Sequence, residues 1–230
     1  PEHNALWRRA VNAYLEALEK AGEKHKARQF ILNLEQPLRA HNQTWAHAGF
    51  IWMSLGDSRK AIEWLSDWRN REGVEPWMLW NLALAFRKED RDRESLEICR
   101  QAVTLQPDHM TQSHILFIAF DELLAGDLAN ATSRLEKINE PTLRDWDSQL
   151  LQLVRALERF QSARQQGVAD HESTVSELFG QMRETESDVL ISLGRRAIQF
   201  VTEDRDNAFF TLWVKARWLW VWLLKPDAKN

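Results

Sequence analysis

The sequence predicts an all-α protein built from repeated helix pairs, and three observations carry that expectation. The chain matches itself when shifted by 34 residues, a length that fits two short helices and their turns. Apolar residues recur at spacings of three and four through most of the chain, the period of one helix face. Only 8 Gly and 6 Pro occur in 230 residues. That is too few for the turn every 8–12 or so positions that an all-β chain needs.

The repeat is legible position by position. A shift of 34 places Trp45 on Leu79, Gly49 on Ala83, Trp52 on Phe86, Ala61 on Ser95 and Leu65 on Cys99. The same shift carries Gly22 onto Gly56 and Ala27 onto Ala61. Large residues meet large and small meet small. Small residues at 49, 83, 61 and 95 let paired helices approach closely, and the aromatics Trp52 and Phe86 fill the remaining space. Gly56 supplies the turn that ends a first helix, and Pro107 ends a second.

With Trp45, Gly49, Trp52, Gly56, Ala61 and Leu65 in one frame, and Asn81, Leu82, Ala83, Phe86, Ser95, Ala102 and Pro107 in the next, the chain resembles the tetratricopeptide repeat family. The resemblance covers about residues 8–143, as units 8–41, 42–75, 76–109 and 110–143 within a repeat domain spanning 1–143. It implies a helical-hairpin solenoid, a right-handed superhelix of about four pairs. The first unit is the weaker match, with Tyr14 and Leu15 where a large-then-small pair is expected. In the fourth, Gly126 and Ala131 fall two residues late, so either its first helix is longer or the preceding loop is stretched.

Residues 144–230 extend or cap the repeats with further helices. Leu150, Leu151, Val154, Leu157 and Phe160 predict a helix over 144–166, broken at Gln165-Gln166-Gly167. Val175, Leu178, Phe179 and Met182 mark the next, with Asp170 or Ser173 as its cap. Val189, Leu190, Leu193, Ala197, Phe200 and Val201 mark another, and 203–206 reads as a turn. A last helix over about 207–224 is apolar nearly all round, carries Trp213, Trp218, Trp220 and Trp222, and must bury itself somewhere. It caps the superhelix, forms a homodimer or partner interface, or lodges at a membrane surface. Its 16 or so apolar residues, interrupted by Lys215 and Arg217, fall short of the roughly 20 that a span needs.

Composition narrows the chemistry. A net charge of -4 and a pI near 6.0 leave no basic footprint for nucleic acid. No phosphate-cradling glycine loop, nucleophile elbow or zinc-type histidine pair is present, so no enzyme, cofactor or metal is expected. The seven histidines lack the i, i+4 spacing that stacks two ligands on one face. A single cysteine, Cys99, sits at a packing position and suits a reducing, cytoplasmic setting. The chain starts at Pro1 rather than Met, compatible with a trimmed product or a fragment of something longer.

In the resembled family, first helices line a concave groove that holds a partner peptide. Carried onto this chain, the groove comprises Phe50, Met53, Trp77, Trp80 and Leu84, edged by Arg87 and Lys88. The family's carboxylate clamp is absent: Glu16 and His47 stand where two Asn belong, Trp77 where a Lys belongs and Asn81 where an Arg belongs. The resemblance therefore implies a protein-binding scaffold with an aromatic groove, or else one filled by the chain's own C-terminal helices. Both stay open on sequence, as does a regulatory or substrate-recruiting role within a larger enzyme.

Overall fold

The fold is described from a computed structural model, over residues 2–105, 111–203 and 213–215. Every regular element among these residues is helical. Two compact units divide the chain, Pro1–His114 and Ile115–Asn230, with the boundary inside the first helix of the predicted fourth repeat.

In the first unit, α1 (Glu2–Lys20) is followed by α2 (Lys24–Asn33) and α3 (Glu35–Arg39). Two hairpins come next: α4 (Asn42–Ser54) with α5 (Ser58–Leu65), then α6 (Pro76–Lys88) with α7 (Asp92–Leu105). The helix α8 (Gln112–Leu124) crosses the boundary. Helix starts obey the sequence period. From α4 to α6 the start moves from 42 to 76, and from α2 to α5 to α7 it moves from 24 to 58 to 92, each a step of 34. Between α6 and α8 the step is 36, yet α4, α6 and α8 all have 13 residues. Helix α8 is therefore the same length as α4 and α6.

Packing follows the same period. Helix α4 lies against both α1 and α6, each hairpin closes on itself, and α5 also packs on α6. Ala27, Ala61 and Ser95, one period apart, are all fully buried, as are Ile31, Leu65 and Cys99. Gly49 is where two helices come closest: a Cβ built there would stand 2.6–2.8 Å from three carbons of Leu65. The tryptophans at 45, 52, 64 and 68 are core residues. Trp45 and Trp64 lock α4 to α5 reciprocally, each indole N–H donating to the other's main-chain carbonyl, at 3.1 and 2.8 Å. The guanidinium of Arg71 covers the Trp45 ring at 4.4 Å.

The turns share one conformation. Gly22, Gly56 and Asp90 all have left-handed φ, at 69°, 84° and 55°. At each, the next residue's N–H reaches back to close the helix end: Glu23 to Leu18, Asp57 to Trp52 and Arg91 to Phe86, all at 2.9 Å. Gly126, with φ 82° and the Asp127 to Glu122 bond at 2.9 Å, repeats the device after α8. Only Asp90 adopts it with a side chain, and there Asp is among the tolerated residues.

One feature departs from the sequence expectation. The second helix of the first unit is split at Leu34 into α2 and α3. Pro37 explains it, because the ring has no N–H for the Asn33 carbonyl and would clash with it.

The second unit holds α9 (Leu128–Leu135), α10 (Asp145–Gln165), α11 (His171–Glu184) and α12 (Asp188–Glu203). Helix α10 packs on α9, α11 and α12, and α11 on α12. Asp170 is the cap of α11, its carboxylate accepting the Ser173 N–H at 2.9 Å. Polar ties join α8 to its neighbours: the Gln161 amide donates to the Leu123 carbonyl in a buried bond of 2.8 Å, and Arg134 pairs with Glu122, part-buried, at 2.8 Å. Trp213 is half-buried and Val214 buried, while Trp218, Trp220, Trp222 and Pro107 lie outside the described residues.

Candidate binding surface

Helices α1, α4 and α6 stand side by side, so residues four apart along each line up on one face. The residues predicted for the groove differ in exposure. Phe50 is 36% exposed, Trp77, Trp80 and Leu84 are half-buried, and Lys88 is exposed. Met53 and Arg87 are not available in the same way, being 7% and 6% exposed. The expectation that Arg87 edges the groove is corrected here: its Nη1 donates to Asp92 at 2.9 Å, tying the end of α6 to the start of α7. Asn81, six residues earlier on α6, is buried and donates a long bond of 3.5 Å to the Ala46 carbonyl.

The aromatic members are fixed by neighbours. Phe50 leans on His47, with ring centroids 6.0 Å apart. His47 is held below its ordinary value by burial, while the Glu16 carboxylate 3.9 Å away pulls it upward. The Trp77 indole N–H donates to Glu75 at 2.7 Å. Trp80 meets the ring of His114 edge-on, with centroids 5.1 Å apart. His114 is fully buried with no hydrogen-bond partner on either ring nitrogen, and burial lowers it to about 4, so the ring is neutral at pH 7.

Beside this stretch, between α1 and α4, lies a cleft of about 280 Å³ lined by Ala5, Arg8, Arg9, Asn12 and Gln43. The arginine pair was not part of the predicted groove. Helical spacing places Arg8 one turn before Asn12, a signal present in the sequence. What the sequence lacks is the neighbour, Gln43, brought alongside only by the packing of α4 on α1. A second cleft, in the other unit, measures about 320 Å³ and is lined mainly by Gln149, Gln152, Gln181, Thr185 and the acids Asp145 and Glu184.

Among the described residues no group of three or more His, Cys, Asp or Glu is placed to hold a metal ion. None of the described helices is long and apolar enough to cross a membrane. Cys99 is buried and unbridged. No protein-family model, curated protein or solved structure matches the chain.

Proposed function

We propose that this chain is a helical-repeat scaffold of the tetratricopeptide type, holding a protein partner as a peptide or helix across the face of α1, α4 and α6. The 34-residue spacing of helix starts supports the repeat assignment. So does the packing of each first helix on the next. The observation that carries the binding role is a contrast among the aromatics. Trp45, Trp52, Trp64 and Trp68 are buried in the core, whereas Phe50, Trp77 and Trp80 keep surface in contact with solvent on adjacent helices. Aromatic side chains in such a setting supply large contact area at low entropic cost and dominate binding energy when covered.

The test is selection of short peptides from a random display library on the full chain. Enriched peptides should carry an aromatic or aliphatic anchor. Their affinity should fall by about 30-fold, the ~2 kcal/mol of a binding hot spot, in Phe50→Ala and Trp77→Ala chains that retain the parental unfolding midpoint. Failure to enrich any peptide, or enriched peptides that bind both variants at full strength, overturns the proposal.

A further inference from the structure

We propose that the chain pairs with a second copy of itself through an apolar stripe on α1, the two α1 helices lying antiparallel about a two-fold axis. The stripe is Leu6, Ala10, Ala13, Tyr14 and Ala17, spaced by threes and fours along one side of the helix. All five are exposed, Leu6 at 63% and Tyr14 at 47%. It is a second apolar side of α1, because Val11, Leu15 and Leu18 are already buried. The pairing goes beyond the peptide-holding role proposed above and does not depend on it.

The repeat period indicates what kind of surface fits such a stripe. One period on, positions 10, 14 and 17 become Thr44, Ala48 and Ile51 of α4, and two periods on, Met78, Leu82 and Ala85 of α6. All six are buried. Both helices have earlier helices packed on them, α1 and α3 on α4, and α4 and α5 on α6. On α1 the equivalent positions are apolar and open, so the surface that suits them is another helix.

The flank of the stripe selects a second copy as the source of that helix. Arg9 and Glu16 are both exposed and lie seven residues apart, on the same side of the stripe. Among the described residues Arg9 has no carboxylate at ion-pair distance, and Glu16 has only His47, at 3.9 Å. Two helical turns, about 10 Å, separate them on one helix, too far for the pair to close on itself. Between antiparallel copies Arg9 of each comes beside Glu16 of the other, twice per dimer. In the same register Leu6 lies over Ala17 of the second copy and Ala10 over its Ala13, so small residues allow the close approach. The Tyr14 ring already rests on Phe30, with centroids 4.8 Å apart, so covering it costs little side-chain freedom. A patch that complements itself in this way is what a two-fold contact requires.

The experiment follows the mass of the full chain by analytical ultracentrifugation from micromolar to millimolar concentration. The mass should rise from 27.0 kDa toward twice that value. Arg9→Glu and Glu16→Arg each set like charges against one another across the pair, and each should weaken self-association about tenfold. An equimolar mixture of these two variants should restore it, because both ion pairs between unlike copies are then attractive. Ala10→Glu, an exposed change that brings two carboxylates close to the axis, should leave a monomer. Each variant is compared at parental helix content by circular dichroism. A chain that stays monomeric at every concentration overturns the proposal and leaves the stripe to a different partner. Self-association that survives Ala10→Glu overturns it too, by placing the contact elsewhere in the chain. A mixture that fails to recover association overturns the antiparallel pairing.

Discussion

Replacing Gly49 by Ala tests whether close helix approach underlies the repeat. The new Cβ would lie 2.6, 2.7 and 2.8 Å from three carbons of Leu65, well inside the roughly 3.5–4.0 Å of a normal carbon contact. Leu65 is fully buried and two of the crowded atoms branch from the third, so no single methyl can swing clear. Overpacking of this kind costs about 1–3 kcal/mol, here toward the upper end. The gain of helix propensity from Gly to Ala returns about 1 kcal/mol. The net expectation is a loss of about 1–2 kcal/mol, or about 4–8 °C in unfolding midpoint for a unit of this size. The matched control is Gly180→Ala on α11, where a Cβ meets nothing within 4 Å and propensity alone should stabilise by up to ~1 kcal/mol. Urea unfolding followed by tryptophan fluorescence is suited to the measurement, because seven of the twelve Trp precede residue 115 and report the first unit. Circular dichroism, read in parallel, follows helix loss in both units. If Gly49→Ala proves neutral or stabilising, the small residue at this position is not there for packing.

Two further changes probe the first unit. His114, held near 4 against an ordinary 6.5, stays unprotonated while the unfolded chain takes up a proton. Stability should therefore fall as pH drops from about 6.5 to about 4, by on the order of 3 kcal/mol in total. His47, lowered in the same direction, adds to the slope, and urea midpoints of His114→Leu should depend less steeply on pH; parallel profiles would remove His114 as the cause. Asp90→Gly should raise the urea midpoint by the equivalent of about 0.5–1 kcal/mol, by relieving a side chain held at φ 55°, and a lowered midpoint would show that the Asp side chain stabilises the turn.

The repeat was legible in the sequence because its requirements are local and recur. Turn residues at 22 and 56, and small residues at 27, 61 and 95, satisfy the same steric demand in each unit, so they reinforce one another across a fixed period. The helices after residue 144 were legible for a similar reason, since amphipathic spacing and the Asp170 cap act within a few residues. The break at Leu34 was written in Pro37 but lay under a repeat pattern that ran through it.

The binding face was legible only in outline. Sequence spacing proposed which residues of α4 and α6 share a face, and of these Phe50, Trp77 and Trp80 keep surface in contact with solvent. Tertiary structure decided which of those side chains reach solvent. Arg87 turns to Asp92 across a hairpin end, and Met53 is covered, because burial depends on neighbours that helical periodicity does not name. The same holds for the Arg8 cleft. Residues 8 and 43 are 35 apart in sequence, and only the packing of α4 on α1 brings their side chains to one cavity. Periodicity sets the direction in which a side chain leaves its helix, whereas the partner that pairs with it or leaves it unpaired is set by long-range packing.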